Sequence, residues 1–537
     1  MNFKLHKLVV ATLAGSFLLG FGANAMADST DDIINALIGK GVLTEEEGVL
    51  LLKGRDLEKD AKSKKPDLKF KDGMVIESAD GSFKAKIAGR VHADYRNFDY
   101  NEGSNNTIPG TVAVPAAVTF NGSNALAVTA NTAAIAAANA KNNAIIGNSI
   151  ANSTGVTDTF DIRRARLGFE AKYKDYYEAL LSIELASAGN TSVSTTILDQ
   201  GYLNVAWWQP VQFRFGQFKA PMNLEKLTSS NNIDFMERSF VNALAPNEQI
   251  GAMVHGVPYT GVTYQLGAFN GTVNGANRQG ESDIREDGKE IVARASINLA
   301  EIMGNKDMIS HIGVSYSDGD LPQGQVGANG RTESRGANFF RAPVFRRSAT
   351  VFDNSNRERL GLEGALAFNQ FKAQAEWLQE SDKFKTAARK YNLDTTNWYA
   401  EAMWAITGEK YADGYKNGAM GSIKPIKDFD PATFSGGAWE VGMRYSEFDA
   451  TDYNALGVGQ GVGAGDGDIT TKAAGFAKAE AWTAGLKFLP NSNMRFMLNY
   501  VDTNFKDVIG GATGGIIINN KRVDDEKAVI MRAQWMF

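Results

Sequence analysis

The sequence contains no cysteine, only four histidines and only 12 prolines among 537 residues. A chain of this length without a disulfide is not a small stapled extracellular module. The histidines are scattered and form no HExxH or paired-histidine spacing, so a metal site has little basis. The sequence therefore predicts neither a metal nor another cofactor.

Long apolar runs are also missing. Beyond the first 27 residues no stretch approaches 18 uninterrupted apolar residues, which argues against a helical inner-membrane domain. The balance of 56 basic and 61 acidic residues gives a net charge of −5, so bulk nucleic-acid binding is not expected. The 55 glycines and the 10% aromatic content suit strands and turns better than helices.

The first residues read MNFKLHKLVVATLAGSFLLGFGANAMADS. Lys4 and Lys7 form a basic start, residues 8–23 an apolar core, and residues 25–27 a small-x-small cleavage site. This order predicts a signal peptide over residues 1–27, with a retained anchor as the alternative. The chain is therefore expected in the periplasm or outer membrane of a Gram-negative cell.

Residues 28–72 are predicted to be a short helical N-terminal extension in the periplasm. An apolar stripe runs from Ile33 to Ile38, and Thr44 followed by Glu47 has the spacing of a capping box. Helices this short are not stable alone. A flexible segment is therefore the alternative.

Period-2 alternation recurs along the rest of the chain. In FKAKIAGRVHADYR, residues 83–96, one face is apolar and aromatic, whereas the other carries Lys84, Lys86 and Arg90 in a row. A soluble sandwich can alternate in this way, but a row of long cations and aromatics near strand ends is typical of a transmembrane barrel. Fifteen similar segments follow: 159–173, 176–186, 197–207, 211–218, 249–256, 259–269, 288–299, 309–317, 358–368, 370–380, 396–406, 437–448, 476–488, 494–505 and 526–537.

The last residues, VIMRAQWMF, place Val529, Met531, Trp535 and Phe537 on one face of a strand. An aromatic final strand residue is typical of an outer-membrane barrel, although a soluble sheet is the alternative. An even number of strands can close without an unpaired edge in lipid. The sequence thus predicts an all-β fold, a 16-stranded antiparallel transmembrane β-barrel over residues 73–537.

The predicted connections alternate in length, as the short periplasmic turns and long extracellular loops of such barrels do. Residues 174–175, residues 209–210 and Asn369 are predicted tight turns. Residues 407–436 break the rule, because this long link belongs on the short-turn, periplasmic side. The Ala/Asn/Thr-rich link 99–158 is predicted to be a surface loop, with a short buried helix as the alternative.

Catalysis has little support in the sequence. The glycine-rich run GVGQGVGAGDGD at 457–468 does not join a strand to a helix, so a flexible extracellular loop is favoured over a nucleotide site. Asp466 and Asp468 could bind calcium weakly, but surface solvation is favoured. The chain is therefore predicted not to be an enzyme.

Several stretches together resemble the phosphate-selective porins of the O/P type. They are IAGRVHADYRNFD, FDIRRARLGFEAKYKDY, ILDQGYLNVAW and FRFGQFKAPMNLEKLTSSNNIDFMERS, then GLEGALAFNQFKAQAEWL, WYAEAMWAITGEKY, GAWEVGMRYS and AVIMRAQWMF. The resemblance implies a homotrimer of 16-stranded barrels. It also implies that the third loop, Lys219 to Asn247, folds into the lumen and forms the constriction.

The resemblance carries over a set of pore residues. Lys226 falls on the central constriction lysine and Arg238 on the constriction arginine, while Asp199 falls on an acidic residue that faces lumenal arginines. The sequence departs from the family at Asn231, where a second basic residue is expected. Lumenal arginines are matched by Arg90, Arg163 and Arg164, and aromatic positions of phosphate-type members are occupied by Arg166 and Lys219.

The register across residues 162–164 slips by one residue, which predicts a bulge and leaves the direction of one arginine open. Basic clusters in loops five and six suggest an extracellular electropositive funnel, with ordinary solvated surface as the alternative. These clusters are Arg331, Arg335, Arg341, Arg346 and Arg347, and then Lys383, Lys385, Arg389 and Lys390.

The expected function is passive diffusion of anions, phosphate foremost, through an outer-membrane porin. The expected partners are inorganic phosphate and other small anions, outer-membrane lipid and two further copies of the chain, and no nucleic acid. A broader porin without phosphate preference is the nearest alternative. A surface adhesin is the alternative from another class.

Overall fold

The chain divides into two compact units, residues 1–67 with 78–80 and residues 68–77 with 81–537. This computed structural model describes residues 40, 44–46, 67–70, 73–100, 115–117, 125–145, 149–152, 158–186, 197–270, 289–321, 326–345, 355–456, 468–510, 514–518 and 521–537. The predicted signal peptide and most of the predicted extension over 28–72 lie outside the described residues, so both stay predictions.

Sixteen strands among the described residues of the second unit form a closed antiparallel barrel. Each strand pairs with its neighbours in the chain, and the last pairs with the first, with Trp535 opposite Val91. All sixteen predicted segments are strands. Their bounds are β1 Phe83–Tyr100, β2 Thr159–Tyr173, β3 Tyr177–Glu184, β4 Ile197–Trp208, β5 Val211–Lys219, β6 Glu248–Tyr259, β7 Val262–Phe269, β8 Glu290–Asn298, β9 Met308–Asp320, β10 Asn356–Phe368, β11 Phe371–Lys385, β12 Lys390–Ala405, β13 Ala438–Asp449, β14 Ala474–Asn491, β15 Met494–Val508 and β16 Asp525–Met536.

The alternation of the sequence produces an apolar outer wall and a polar interior. On β10, Leu360, Leu362 and Leu366 are between 41% and 60% exposed, whereas Arg359 and Glu363 are buried. A strand with this pattern has one face suited to lipid and the other to the lumen. Closure of the ring also leaves no row of backbone groups unpaired in the bilayer.

The barrel closes next to Phe537. Gly89 N donates to Phe537 O over 2.8 Å, and Phe537 N donates to Gly89 O over 3.1 Å. A Cβ atom on Gly89 would lie 2.3 Å from the Phe537 ring, so the close approach requires glycine. Where β16 has ended, the short strand Met74–Glu77 pairs with Lys84–Ile87 of β1 and continues the wall.

Tight turns lie at one end of the barrel, the periplasmic end in proteins of this architecture. Asn369 joins β10 to β11 with a left-handed φ of 48°, which asparagine tolerates better than most residues. Residues 407–436 lie at the same end, because Tyr411 N donates to Asn369 O over 3.1 Å and Phe429 N donates to Pro490 O over 2.7 Å. The predicted position of this long link is confirmed.

Smaller elements lie between the barrel strands. The helices are α1 Ala125–Ile145, α2 Leu224–Leu227, α3 Val241–Leu244 and α4 Leu299–Ile302, with 3₁₀ turns at Tyr411–Gly414 and Thr451–Leu456. The further strands are Asp67–Phe70, Met74–Glu77, Ser149–Asn152, Gly330–Arg331, Asn338–Arg341, Val344–Phe345, Ile469–Thr471, Gly515–Ile518 and Lys521–Val523. Among the described residues, no helix combines the length and apolarity that crossing a membrane requires.

Helix α1 corrects the prediction for the first long loop. The Ala-rich stretch was expected to be irregular, or else a short buried helix, but it forms 21 residues of helix. Of the side chains from 127 to 138, only Ala138 is buried. Alanine has the highest helix propensity, so the stretch is helical although it lacks an apolar stripe.

Two clusters of buried side chains fill the interior next to strands β9 to β15, and a third packs loop three against strands β5 to β8. An aromatic cluster fills the end that carries the long loops, and it includes Phe339, Phe340, Phe448, Phe476 and Phe505. A second cluster fills the end that carries the tight turns, and it includes Ile309, Met403, Tyr411, Met420 and Ile423. Segments of loop five and of residues 407–436 thus occupy the side next to β9 to β15 from both ends.

Candidate anion passage

Loop three folds into the barrel. Strand β5 turns Phe213 and Phe215 outward and ends at Lys219. Residues 220–247 then enter the interior, where Met222 and Phe235 are fully buried. The predicted inward-folded third loop is confirmed.

One buried arginine holds both arms of loop three. Arg444 of β13 donates to the backbone oxygen of Glu237 over 3.1 Å and lies 3.4 Å from a carboxylate oxygen of Glu225. Its guanidinium group stacks 4.7 Å from the centre of the Phe235 ring. It also donates to Glu333 of loop five over 2.6 Å. Arg444 therefore joins loops three and five to the same part of the wall.

Further charged contacts fix the loop to the same side. Lys372 of β11 forms an ion pair with Asp234 in the loop. Glu376, on the same strand, accepts a hydrogen bond from Glu225 N over 2.7 Å. These contacts hold the loop against β11 to β13. Open space remains beside the loop, next to parts of strands β1 to β7.

A cavity of about 730 Å³ occupies this open side. All eight residues predicted for the constriction line it: Arg90, Arg163, Arg164, Arg166, Asp199, Lys219, Lys226 and Arg238. Cations outnumber acids among its lining residues, with ten arginines and lysines against six aspartates and glutamates. The cavity therefore presents a positive lining in a protein that is acidic overall.

Lys226 lies at the end of helix α2 and is 5% exposed. Its Nζ donates to Asn242 Oδ1 over 3.3 Å and to Asn247 Oδ1. Both partners are neutral, so the ammonium charge is solvated but not cancelled. Burial lowers the pKa of Lys226 to about 8, and Glu248 partly opposes this by favouring the charged form.

Arg238 and Lys219 donate to the backbone of loop three. Arg238 donates to the carbonyl oxygens of Glu225 and Thr228 over 3.0 and 2.8 Å. Lys219 donates to the carbonyls of residues 226, 227 and 228 over 2.8 to 3.3 Å. These carbonyls end helix α2, where cations are favourable. Lys219 therefore fastens the loop as well as lining the cavity.

Arg90 contacts the part of the loop where the sequence departs from the family. It donates to Ser230 over 3.0 Å, to Asn231 over 3.2 Å and to Ser229 over 3.4 Å. Asn231 thus accepts from Arg90 in place of adding a second cation. The serine hydroxyls can in turn donate to an anion. Ser229 and Ser230 also line the cavity, and the sequence analysis did not single them out.

A bulge turns both neighbouring arginines of β2 inward. Arg164 pairs with His92 of β1 and Ile162 pairs with Ala93, so Arg163 is the extra residue. Arg163 donates to Glu237 over 2.7 Å. Arg164 has no hydrogen bond or ion pair among the residues that the structure describes. The open question about this pair is thereby resolved, since both line the cavity.

Arg166 and Asp199 neutralise one another. Arg166 donates to Glu184 over 2.6 Å and forms an ion pair with Asp199. Arg166, which the resemblance places at an aromatic position of phosphate-type members, is therefore paired with two carboxylates. Its contribution to the positive lining is correspondingly small.

The arginines of the loop-five cluster lie in different surroundings. Arg331 and Arg335 line the cavity, whereas Arg341 is not among the lining residues. Arg335 has a left-handed φ of 63° at the tip of a turn whose Glu333 is held by Arg444. Arg346 and Arg347 lie outside the described residues. Sequence alone could not separate these arginines, because their positions depend on how loop five enters the barrel.

The loop-six cluster lies elsewhere. Lys383 pairs with Glu358 over 2.7 Å, and both side chains are substantially exposed. None of the four loop-six cations is among the lining residues of the cavity. Asp466 and most of the glycine-rich run 457–468 lie outside the described residues. Where the chain is described, no group of three or more histidine or acidic side chains is placed to hold a metal ion.

Comparisons with known proteins agree with this architecture. The family model for phosphate-selective porin O and P matches residues 146–537. Porin O of Pseudomonas aeruginosa is 26% identical over 492 residues, which are 88% of this chain and 92% of that protein.

Solved structures with a similar fold include the outer membrane channel DcaP of Acinetobacter baumannii, at 10% identity and a TM-score of 0.44, covering 85% of this chain and 98% of that one. OprB of Pseudomonas putida gives 9% identity and a TM-score of 0.45, covering 85% of this chain and 95% of that one. Since the family model spans most of the sequence, the chain belongs to the phosphate-selective porin O and P family and is an outer-membrane porin of a Gram-negative bacterium.

Proposed function

We propose that the porin carries small anions, with inorganic phosphate preferred, through the cation-lined cavity beside loop three. The observation that carries the proposal is the convergence of Arg90, Arg164, Lys226 and Arg238 on one water-accessible space. Each of them has neutral partners or, for Arg164 within the described chain, none. Fixed cations around a constriction select anions by charge.

The charges lining the cavity are strong enough to select anions. A unit-charge pair at ~4 Å in an effective dielectric of ~20 is worth about 4 kcal/mol before desolvation. Arginine offers phosphate two parallel donors, whereas Lys226 acts as a compact point charge. Conduction requires several moderate sites in place of one deep well. Asp199 forms an ion pair with Arg166, and Glu237 forms one with Arg163. These pairs limit how tightly the cavity can bind an anion.

The outer wall is proposed to contact outer-membrane lipid, and the functional unit is proposed to be a homotrimer. The exposed leucines of β10 and the other outward apolar side chains support lipid contact. The trimer rests on family membership. The proposal assigns the protein no catalytic role, because its cation-lined space is suited to moving anions and needs no reacting group.

A broader anion porin without phosphate preference is the second candidate. The observation in its favour is the ion pairing of Arg166 with Glu184 and Asp199, at a position where phosphate-type members have an aromatic residue. If this pairing weakens phosphate binding, the pore will bind phosphate no more tightly than chloride. The two candidates therefore differ in phosphate block and agree on anion selectivity.

The experiment is conductance of the purified porin in planar bilayers. A reversal potential in a potassium chloride gradient gives the chloride-to-potassium permeability ratio, and added phosphate tests for block of the chloride current. Anion selectivity with phosphate block supports the main proposal. Anion selectivity without block supports the second candidate. Equal permeability to both ions would contradict both anion-selective candidates and favour a general porin without phosphate preference. The absence of a pore would contradict every channel candidate.

A further inference from the structure

The long link at the tight-turn end has two parts with different surroundings. Its first part enters the barrel, where Tyr411, Met420 and Ile423 are buried. Its second part, residues 424–436, is called the rim segment here. Within it Phe434 is 85% exposed and Ile426 is 75% exposed. Two large apolar side chains with this exposure would be unfavourable in water.

The rim segment continues the aromatic surface of the outer wall. Trp439 of β13 stacks on Phe488 of β14 with ring centres 4.4 Å apart, and both belong to the outward face. Phe488 contacts Phe429 at 5.3 Å, and Phe429 contacts Phe434 at 5.7 Å. An unbroken series of rings therefore runs from the lipid-facing wall to the exposed phenyl group.

The exposure of Phe434 is imposed by an ordered turn. Its φ is 51°, a left-handed value that is uncommon for a bulky residue. Asp430 N donates to Ser435 O over 2.8 Å, and Gly437 N donates to Lys427 O over 2.8 Å. Backbone strain that the surrounding structure maintains often marks a functional position. Here the strained residue presents its ring away from the protein.

The charges of the rim segment do not indicate a charged binding partner. Lys424 and Lys427 are matched in number by Asp428 and Asp430, and all four are at or near the surface. Asp430 is further engaged by Ala432 N over 2.9 Å. With no net charge, the segment has no electrostatic preference for an anionic or a cationic surface. Its attraction must come from the apolar groups.

We propose that the rim segment is a lipid anchor that lies in the periplasmic leaflet of the outer membrane, with Phe434 and Ile426 inserted beside the phospholipid acyl chains. Aromatic side chains are favourable at this depth, where Trp and Tyr form belts around membrane proteins. The continuity with Trp439 and Phe488 selects lipid as the occupant, because the same series of rings already faces the bilayer. The anchor is independent of the proposed ion selectivity.

The absence of native cysteine allows a direct test. Single variants Phe434→Cys and Ile426→Cys are labelled with a nitroxide in the full chain, which is reconstituted in vesicles of phosphatidylcholine alone or with phosphatidylglycerol. Lys416→Cys is the matched control, because it is exposed in the same link but belongs to its first part and contacts none of the rings of the series. Wild-type conductance of each variant verifies folding.

The anchor predicts that labels at 434 and 426 collide several-fold more with oxygen, and several-fold less with a water-soluble nickel chelate, than the label at 416. The pattern should be the same in neutral and anionic vesicles. Equal nickel accessibility at the three positions would overturn the proposal. Spin–spin broadening at 434 that disappears on dilution with unlabelled chain would also overturn it, because a second copy would then cover the surface.

Discussion

The two sides of the barrel interior differ in the partners of several buried cations, although Arg163 and Arg166 on the cavity side are also paired with carboxylates. On the packed side, buried arginines face carboxylates: Arg357 donates to Asp382 over 2.7 Å, and Arg359 donates to Glu290 over 2.6 Å. Such pairs are costly to break but present little net charge to an ion. This side supports loops three and five and has the chemistry of a protein core.

On the cavity side, Arg90, Lys226 and Arg238 face hydroxyl, amide and carbonyl oxygens. Neutral oxygens reduce the cost of burying a cation without removing its charge. Under the proposed function, selectivity therefore depends on the kind of partner a cation has, more than on the number of cations present. The packed side contributes by holding the loop that carries two of these groups.

The largest expected effect comes from Lys226→Glu, which reverses the charge of a cavity cation. Chloride-over-potassium selectivity should fall by more than roughly tenfold, since each charge pair is worth a few kcal/mol. The reversal potential in a salt gradient measures this. Lys385→Glu is the control, because Lys385 is exposed and does not line the cavity. Equal effects of the two changes would show that Lys226 is not at the constriction.

The next prediction distinguishes an arginine that holds loop three in place from one that only stabilises the barrel interior. Arg444→Met and Arg294→Met each leave a buried carboxylate without its arginine. Each should therefore lower the free energy of unfolding by about 3–5 kcal/mol. Only Arg444→Met should also reduce anion selectivity, because Arg444 holds Glu225 beside Lys226. Arg294 instead binds Glu363 and the backbone of Gly418. An equally large loss of anion selectivity in Arg294→Met would show that the contacts of Arg444 with loop three do not determine the selectivity.

A smaller effect should follow pH. Burial lowers the pKa of Lys226 to about 8, so its charge is present below that pH and lost above it. Chloride selectivity should therefore decrease as pH rises from 7 to 9. In Lys226→Arg the decrease should disappear, because arginine remains charged throughout. A wild-type profile that is flat over this range would contradict the shifted pKa.

The barrel could be predicted from the sequence because alternation between lipid-facing and lumen-facing side chains is a local, period-2 signal. All sixteen strands were found in this way, although β1 was expected to end at Arg96 and extends to Tyr100. The stretch that forms the helix Ala125–Ile145 was predicted to be a surface loop, with a short buried helix as the alternative. The prediction failed because a mostly exposed helix needs no apolar stripe. Its alanine content was the available signal.

The cavity residues were placed through family resemblance, but their partners were not foreseen. Glu237 meets Arg163 across 74 positions in the sequence, and Arg444 meets Glu225 across 219. No local pattern encodes contacts between a loop and a distant wall. Sequence reasoning placed Arg163 and Arg164 on lumenal arginines and Arg166 at an aromatic position, but it assigned no particular carboxylate partner to any of them. The fold pairs Arg163 and Arg166 with carboxylates.

The most direct test of the central claim is the phosphate concentration that half-blocks chloride conductance in Arg163→Gln and Arg164→Gln. Each variant removes one charge from the same bulge, so their long-range effects are matched. Because Arg163 is held by Glu237 and Arg164 has no partner within the described chain, the account predicts that Arg164→Gln raises the half-blocking concentration roughly tenfold more than Arg163→Gln does. An equal rise in the two variants, or a larger one in Arg163→Gln, would contradict it.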